Sequence, residues 1–97
     1  MAAALLRETL AKIAEGKADP DAFTAEARGE LFPDAIADAG AMLKSLWPIR
    51  SLDLIERRQE NGDRIGRYRL TFQGETLLAV FRLTRENKIA WIDLSPE

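Results

Sequence analysis

The sequence contains neither histidine nor cysteine. Those two absences remove most of the side-chain chemistry that small enzymes use. No thiolate nucleophile, no disulfide and no Ser-His-Asp or Cys-His relay can be built from these residues, and the usual zinc ligand sets are missing. No catalytic residue, metal ligand set or cofactor is therefore expected. Tyrosine occurs once and proline four times. No apolar run approaches the ~20 residues that cross a bilayer, so no membrane partner is expected. The opening stretch MAAALLRETLAKIAEGK has no basic leading region, and Arg7, Glu8 and Lys12 interrupt its apolar residues, so it does not read as a secretory signal. Charge of one sign is also lacking. The 14 basic and 16 acidic residues leave a net charge of −2, which predicts no nucleic-acid partner.

What is present is a chain of 97 residues, 46% apolar and 31% charged. That length supports a single domain over 1–97, and the share of large apolar residues argues against disorder. Residues 1–48 are Ala-rich and carry 5 basic and 8 acidic groups; residues 49–97 carry 9 basic and 8 acidic groups and are richer in Leu, Ile, Arg and aromatics. This division predicts helices first and strands second, an α+β fold.

Leu6, Leu10 and Ile13 recur at helical spacing, predicting a helix over about 3–15 that stops at Gly16. Asp19-Pro20 reads as the start of a second helix running toward Gly29, with Phe23 and Ala27 on one face. Leu31 and Phe32 come next as an anchor. Pro33-Asp34 opens a third helix to about Ser45, with Ile36, Ala39 and Leu43 inward. Trp47-Pro48 ends it. Beyond Pro48 the period changes to two. Strands are predicted at about 50–59, 64–72, 76–85 and 88–94, joined by turns at Asn61-Gly62, Gln73-Gly74 and Glu86-Asn87. Every connection is a hairpin, so the sheet is a four-stranded antiparallel meander.

The turns fix a register. One face carries the pairs Leu70–Leu77, Tyr68–Ala79, Phe81–Ile92, Ala79–Leu94 and Leu83–Ala90, and with Phe72 it should receive the helices. The other face pairs Arg69 with Leu78, Arg67 with Val80, Arg82 with Trp91 and Thr84 with Ile89. In the first strand, the Asn61-Gly62 turn directs Ile55 and Asp53 inward, whereas Leu52 and Leu54 favour the opposite phase. A bulge near Arg57-Arg58 reconciles the two, with Leu52 and Leu54 inward.

The stretch from Leu43 to Pro96 resembles small cystatin/NTF2-like domains of bacteria. The pieces that carry the likeness are Leu46-Trp47-Pro48, Tyr68-Arg69-Leu70, Leu77 to Leu83 and Lys88-Ile89-Ala90. Trp47 stands where the pattern has a small residue, which suggests a bulkier neighbour or a filled pocket, and Glu86-Asn87 replaces an Asp-Gly turn. Such modules often sit after a serine hydrolase domain of the β-lactamase or penicillin-binding-protein type. The resemblance implies helices over a curved sheet, a non-catalytic accessory role, a neighbouring catalytic domain as partner, and an extracytoplasmic location if that hydrolase is exported. The hydrolase motifs Ser-x-x-Lys and Gly-x-Ser-x-Gly do not occur in this sequence.

Four constellations stand against plainer readings. Phe32, Trp47, Tyr68, Phe72 and Phe81 either line a ligand pocket between sheet and helices or fill a small core. Tyr68 with Asp53 would make an acid–base site of the isomerase kind only if Asp53 turns inward; otherwise both are structural. Leu78, Val80, Ile89 and Trp91, rimmed by Arg67, Arg69 and Arg82, form either an interface centre on the outer sheet face or a solvated face covered by arginine stems. Arg82 opposite Trp91 suits a cation–π pair. Arg57, Arg58 and Arg64 are balanced by Glu56, Glu60 and Asp63, and read as a mixed-charge hairpin tip. The reading is an accessory or protein-interaction module that docks a neighbouring domain or a second copy. Small apolar ligand binding is the alternative and a small isomerase-type enzyme the third.

Overall fold

The structure is a computed structural model and describes residues 2–97. Helix α1 spans Ala2–Ala14, a 3₁₀ turn Pro20–Ala22, α2 Ala25–Leu31 and α3 Asp34–Leu46. Strands β1 (Ser51–Glu60), β2 (Asp63–Thr71), β3 (Thr76–Leu83) and β4 (Ile89–Pro96) form one antiparallel sheet in sequence order. The fold is α+β, with the helices packed on one face of an open sheet.

Helix α1 buries Leu6, Thr9, Leu10 and Ile13, the stripe its spacing predicts. It closes at Gly16, whose φ of +74° lets Gly16 N–H reach the Ile13 carbonyl (3.1 Å) and Lys17 N–H the Lys12 carbonyl (2.8 Å). Helix α3 crosses α1 at backbone distance. A β-carbon on Gly40 would stand 2.5 Å from the Ile13 carbonyl oxygen.

The segment expected as one helix from Asp19 is divided. Asp19 caps only the 3₁₀ turn, its Oδ1 accepting from Asp21 N–H at 2.9 Å. The chain then extends through Phe23, and Thr24 N–H donates to the Ile89 carbonyl at 2.9 Å. Thr24 provides the second start, its Oγ1 accepting from Ala27 N–H at 3.1 Å. Two capping residues five positions apart thus make a turn and a helix, and Gly29 lies inside α2. Phe23 meets the anchor Phe32 edge-on, with ring centroids 5.0 Å apart.

The β2–β3 register matches the expectation: Leu70 opposite Leu77, Tyr68 opposite Ala79, Arg69 opposite Leu78 and Arg67 opposite Val80. In β1, Leu52 and Leu54 do share the face of Leu70 and Tyr68. The bulge sits at Ile55, earlier than the expected Arg57-Arg58, and it reverses the phase of the strand from Glu56 onward. That reversal reconciles the inward Leu52 and Leu54 with the tight turn at Asn61 (φ +52°) and Gly62 (φ +87°).

The last hairpin differs. Asn87 N–H bonds the Thr84 carbonyl (3.0 Å), Thr84 N–H bonds the Lys88 carbonyl (2.9 Å), and Asn87 takes a φ of +64°. The loop is therefore Arg85 to Asn87, one residue longer than the Glu86-Asn87 turn. Ile89, not Ala90, pairs with Leu83, and a bulge at Ala90 restores the expected Arg82–Trp91 and Phe81–Ile92 pairs. Ile89 thereby moves from the outer face to the core, where it is 1% exposed.

One apolar cluster joins the helices to the inner sheet face, with Leu6, Leu10, Leu43, Leu70, Phe81 and Ile89 among its fully enclosed members. Each such side chain contributes roughly 1.5–3 kcal/mol by leaving water. The helices do not reach the far part of β1, and Leu54 is 47% exposed despite facing inward.

Candidate protein-interaction surface

No helix covers the outer sheet face. Leu78 and Val80 are half-buried there, Arg67 and Arg69 are exposed, and Trp91 is exposed at the β4 margin. The arginines are engaged. Arg67 Nη1 lies 3.2 Å from Glu56, Arg69 Nη2 2.8 Å from Glu97, and Arg82 Nε 2.8 Å from Asp63. The hydrogen bond from Arg69 to Glu97, and then the Glu97 charge, push the Arg69 guanidinium further above its ordinary range. Arg82 faces Trp91 in the ladder, but its guanidinium is held by Asp63 and Glu60 instead of the expected stacking on the indole.

These ion pairs have an apolar consequence. Ile65 pairs with Arg58 on one side and Arg82 on the other, on the face away from the helices. It is only 5% exposed, yet it stands outside the helix-side cluster. Its ladder neighbours on that face, Arg58 and Arg82, carry long apolar stems suited to cover it. Exposed pairs of this kind contribute only ~0–1 kcal/mol each.

The other flank of Trp91 is open. A groove of about 410 Å³ runs between β4 and helices α2 and α3. Leu31, Ile36, Ala39, Ile92 and Leu94 line it, Met42 and Trp91 stand exposed at it, and Glu30, Asp38 and Asp93 lie along its rim. Ala35, Ala39 and Met42 are spaced by four and three along α3. That spacing is the sequence signal for a second apolar stripe, beside the expected one of Ile36, Ala39 and Leu43.

The five aromatic pocket candidates do not share one cavity. Phe32 lines a cleft of about 460 Å³ between α1 and α3, and Trp47 lines a separate one of about 420 Å³ with Lys17 and Lys44. Tyr68 and Phe81 border a space of about 230 Å³ beside Arg57 and Arg64. Phe72 is buried in the core cluster. No single sheet–helix pocket is bounded by both Trp47 and Tyr68; of the two readings, core filling describes Tyr68, Phe72 and Phe81.

Tyr68 and Asp53 face opposite sides of the sheet, since Leu54 pairs with Tyr68 and Asp53 with Arg69. Asp53 is exposed, so the acid–base pair is not assembled. Burial raises the Tyr68 hydroxyl pKa, and the nearby Arg57 charge partly opposes the shift. Among the described residues no group of three or more acidic, histidine or cysteine side chains is arranged to hold a metal ion, and no helix is long and apolar enough to cross a membrane.

The fold is a helices-on-sheet α+β domain with an open groove along its β4 edge. Comparison with known proteins finds no matching family model, no matching curated protein and no matching solved structure.

Proposed function

We propose that this chain is a non-catalytic protein-interaction module. The observation that carries the reading is the juxtaposition of exposed Trp91 and Met42 at one apolar groove, beside a β4 edge that has no strand partner beyond Ile89 among the described residues. Indole and thioether side chains bury large, adaptable surfaces on a partner, and they are enriched where proteins meet. The contact centre is Trp91 with Met42 and Leu94; the outer-face residues Leu78 and Val80 lie on its far side. Arg67, Arg69 and Arg82 supply a rim already neutralised by carboxylates. The helices-over-sheet architecture accords with the accessory-domain role that the cystatin/NTF2-like resemblance implies. In that setting the partner is a neighbouring catalytic domain, with self-association as the competing outcome.

The test is a photo-activatable residue placed at position 91 in source cells, with one at exposed Ala3 on α1 as control. The expected result is a discrete adduct from position 91 that is lost on adding Met42→Asp. No adduct, or the same adducts from position 3, overturns the reading.

A further inference from the structure

Residues Trp91 to Leu94 all line the groove, although successive residues of a strand point to opposite faces. A groove touched by residues of both faces lies along the strand's edge, where the backbone itself is presented. The hydrogen bonds show which groups point outward. Glu97 N–H donates to the Thr76 carbonyl of β3 at 3.2 Å. Alternation then directs Ser95 and Asp93 toward β3, and Pro96, Leu94 and Ile92 away from it. Pro96 fits this assignment, because its missing N–H falls on the free side. At its start β4 already accepts an extended neighbour: Phe23 forms a parallel bridge with Ile89, and Thr24 N–H bonds the Ile89 carbonyl at 2.9 Å. Beyond that point the edge is unpaired among the described residues.

The rim adds a sign. Glu30, Asp38 and Asp93 are exposed, and none forms an ion pair among the described residues, whereas the outer-face arginines do. An unneutralised acidic rim around an apolar floor complements a segment that alternates apolar and basic side chains. Resting on the interaction-module reading, we infer that β4 binds an extended, basic partner segment by strand addition. The backbone of the segment bonds the free N–H and C=O groups of Ile92 and Leu94. Its apolar side chains enter the groove over Leu31, Ile36 and Met42, its lysines or arginines on the opposite face meet Asp93, and Glu30 and Asp38 add to the acidic field along the groove.

The closest alternative, the β1 edge, is poorly suited to the same role. Its bulge at Ile55 and its run of charges from Glu56 to Glu60 guard against pairing.

The probe is a short synthetic peptide alternating valine and lysine, titrated into a Trp47→Phe variant so that Trp91 alone reports by fluorescence. Amide shifts are read by NMR. The expected result is saturable binding that shifts the Ile92 and Leu94 amides. The same peptide N-methylated at alternate amides should bind at least about tenfold more weakly, as should a glutamate-for-lysine counterpart. Asp38→Lys with Asp93→Lys, both at exposed positions, should reverse that peptide preference while leaving the fold intact. No saturable binding, equal binding of the acidic or methylated peptide, or shifts centred on Leu78 and Val80 overturns strand addition. An adduct at position 91 with no such binding would leave the interaction reading standing and strand addition refuted. Absence of the adduct refutes the reading itself.

Discussion

Tyr68 lies across Gly66, two residues earlier on the same strand face. A β-carbon on Gly66 would stand 2.7 Å from Tyr68 Cε1 and 3.1 Å from its hydroxyl oxygen. The glycine gives the buried ring a flat backbone to rest on. Gly66→Ala should therefore cost about 1–3 kcal/mol in urea unfolding, as overpacking of a filled site does. In a Tyr68→Ala background the same change should cost far less, and additive losses would exclude the ring contact.

Two other glycines should respond in opposite directions. At Gly40 the obstruction is the Ile13 carbonyl at 2.5 Å, which cannot move without separating α1 from α3. Gly40→Ala should destabilise by roughly 1–3 kcal/mol. Gly29 lies inside α2 with nothing within 4 Å of its added carbon, so Gly29→Ala should stabilise by about 0.4–1 kcal/mol. Thermal unfolding of the two variants separates these outcomes by sign.

The two bulged strands place an isoleucine each in contrasting environments. Ile89 is enclosed in the core, and Ile89→Ala should cost roughly 2–5 kcal/mol. Ile55 is exposed at its bulge, and Ile55→Ala should stay within about 0.5 kcal/mol of the wild type. Equal losses in denaturant titrations would contradict the register of the last hairpin.

Tyr68 is the single tyrosine, so an ultraviolet pH titration reads it alone. Burial raises its pKa above the ordinary 10.0. A proton kept in the folded chain and lost from the unfolded one makes folding less favourable as pH rises. Its contribution is thus fully present below pH 10.0 and declines from there up through the folded value. The absorbance midpoint should lie above that of the urea-unfolded chain, and Tyr68→Phe should flatten the alkaline loss of stability. Coincident midpoints would contradict the burial.

Element types and most of the register were legible because local signals agreed with one another. Asn61-Gly62 fixed a tight turn, and the alternation of Tyr68, Leu70, Leu77 and Phe81 fixed the inner face. Where two signals competed, the sequence alone was ambiguous. Asp19 and Thr24 both offer capping oxygens, and only the pairing of Phe23 with Ile89 decides between them. Glu86-Asn87 has the residues of a two-residue turn, but Asn87 is the left-handed residue that ends a three-residue loop. For the candidate site, Trp91 was visible as an exposed aromatic. The groove beside it was not, because it needs α3 brought alongside β4 by contacts distant in sequence.

The bulge at Ala90 makes this hairpin tolerant in length. Leu83 pairs with Ile89 and Arg82 with Trp91, so Ala90 has no partner across the ladder. A chain one residue shorter, lacking only Ala90, keeps Ile89 facing in and Trp91 facing out, whereas removing Ile89 or Trp91 instead leaves Ala90 in the place of the larger side chain. A single-residue deletion, ordinarily ruinous within a strand, here leaves the ladder in register, as it would at the unpaired Ile55 of β1.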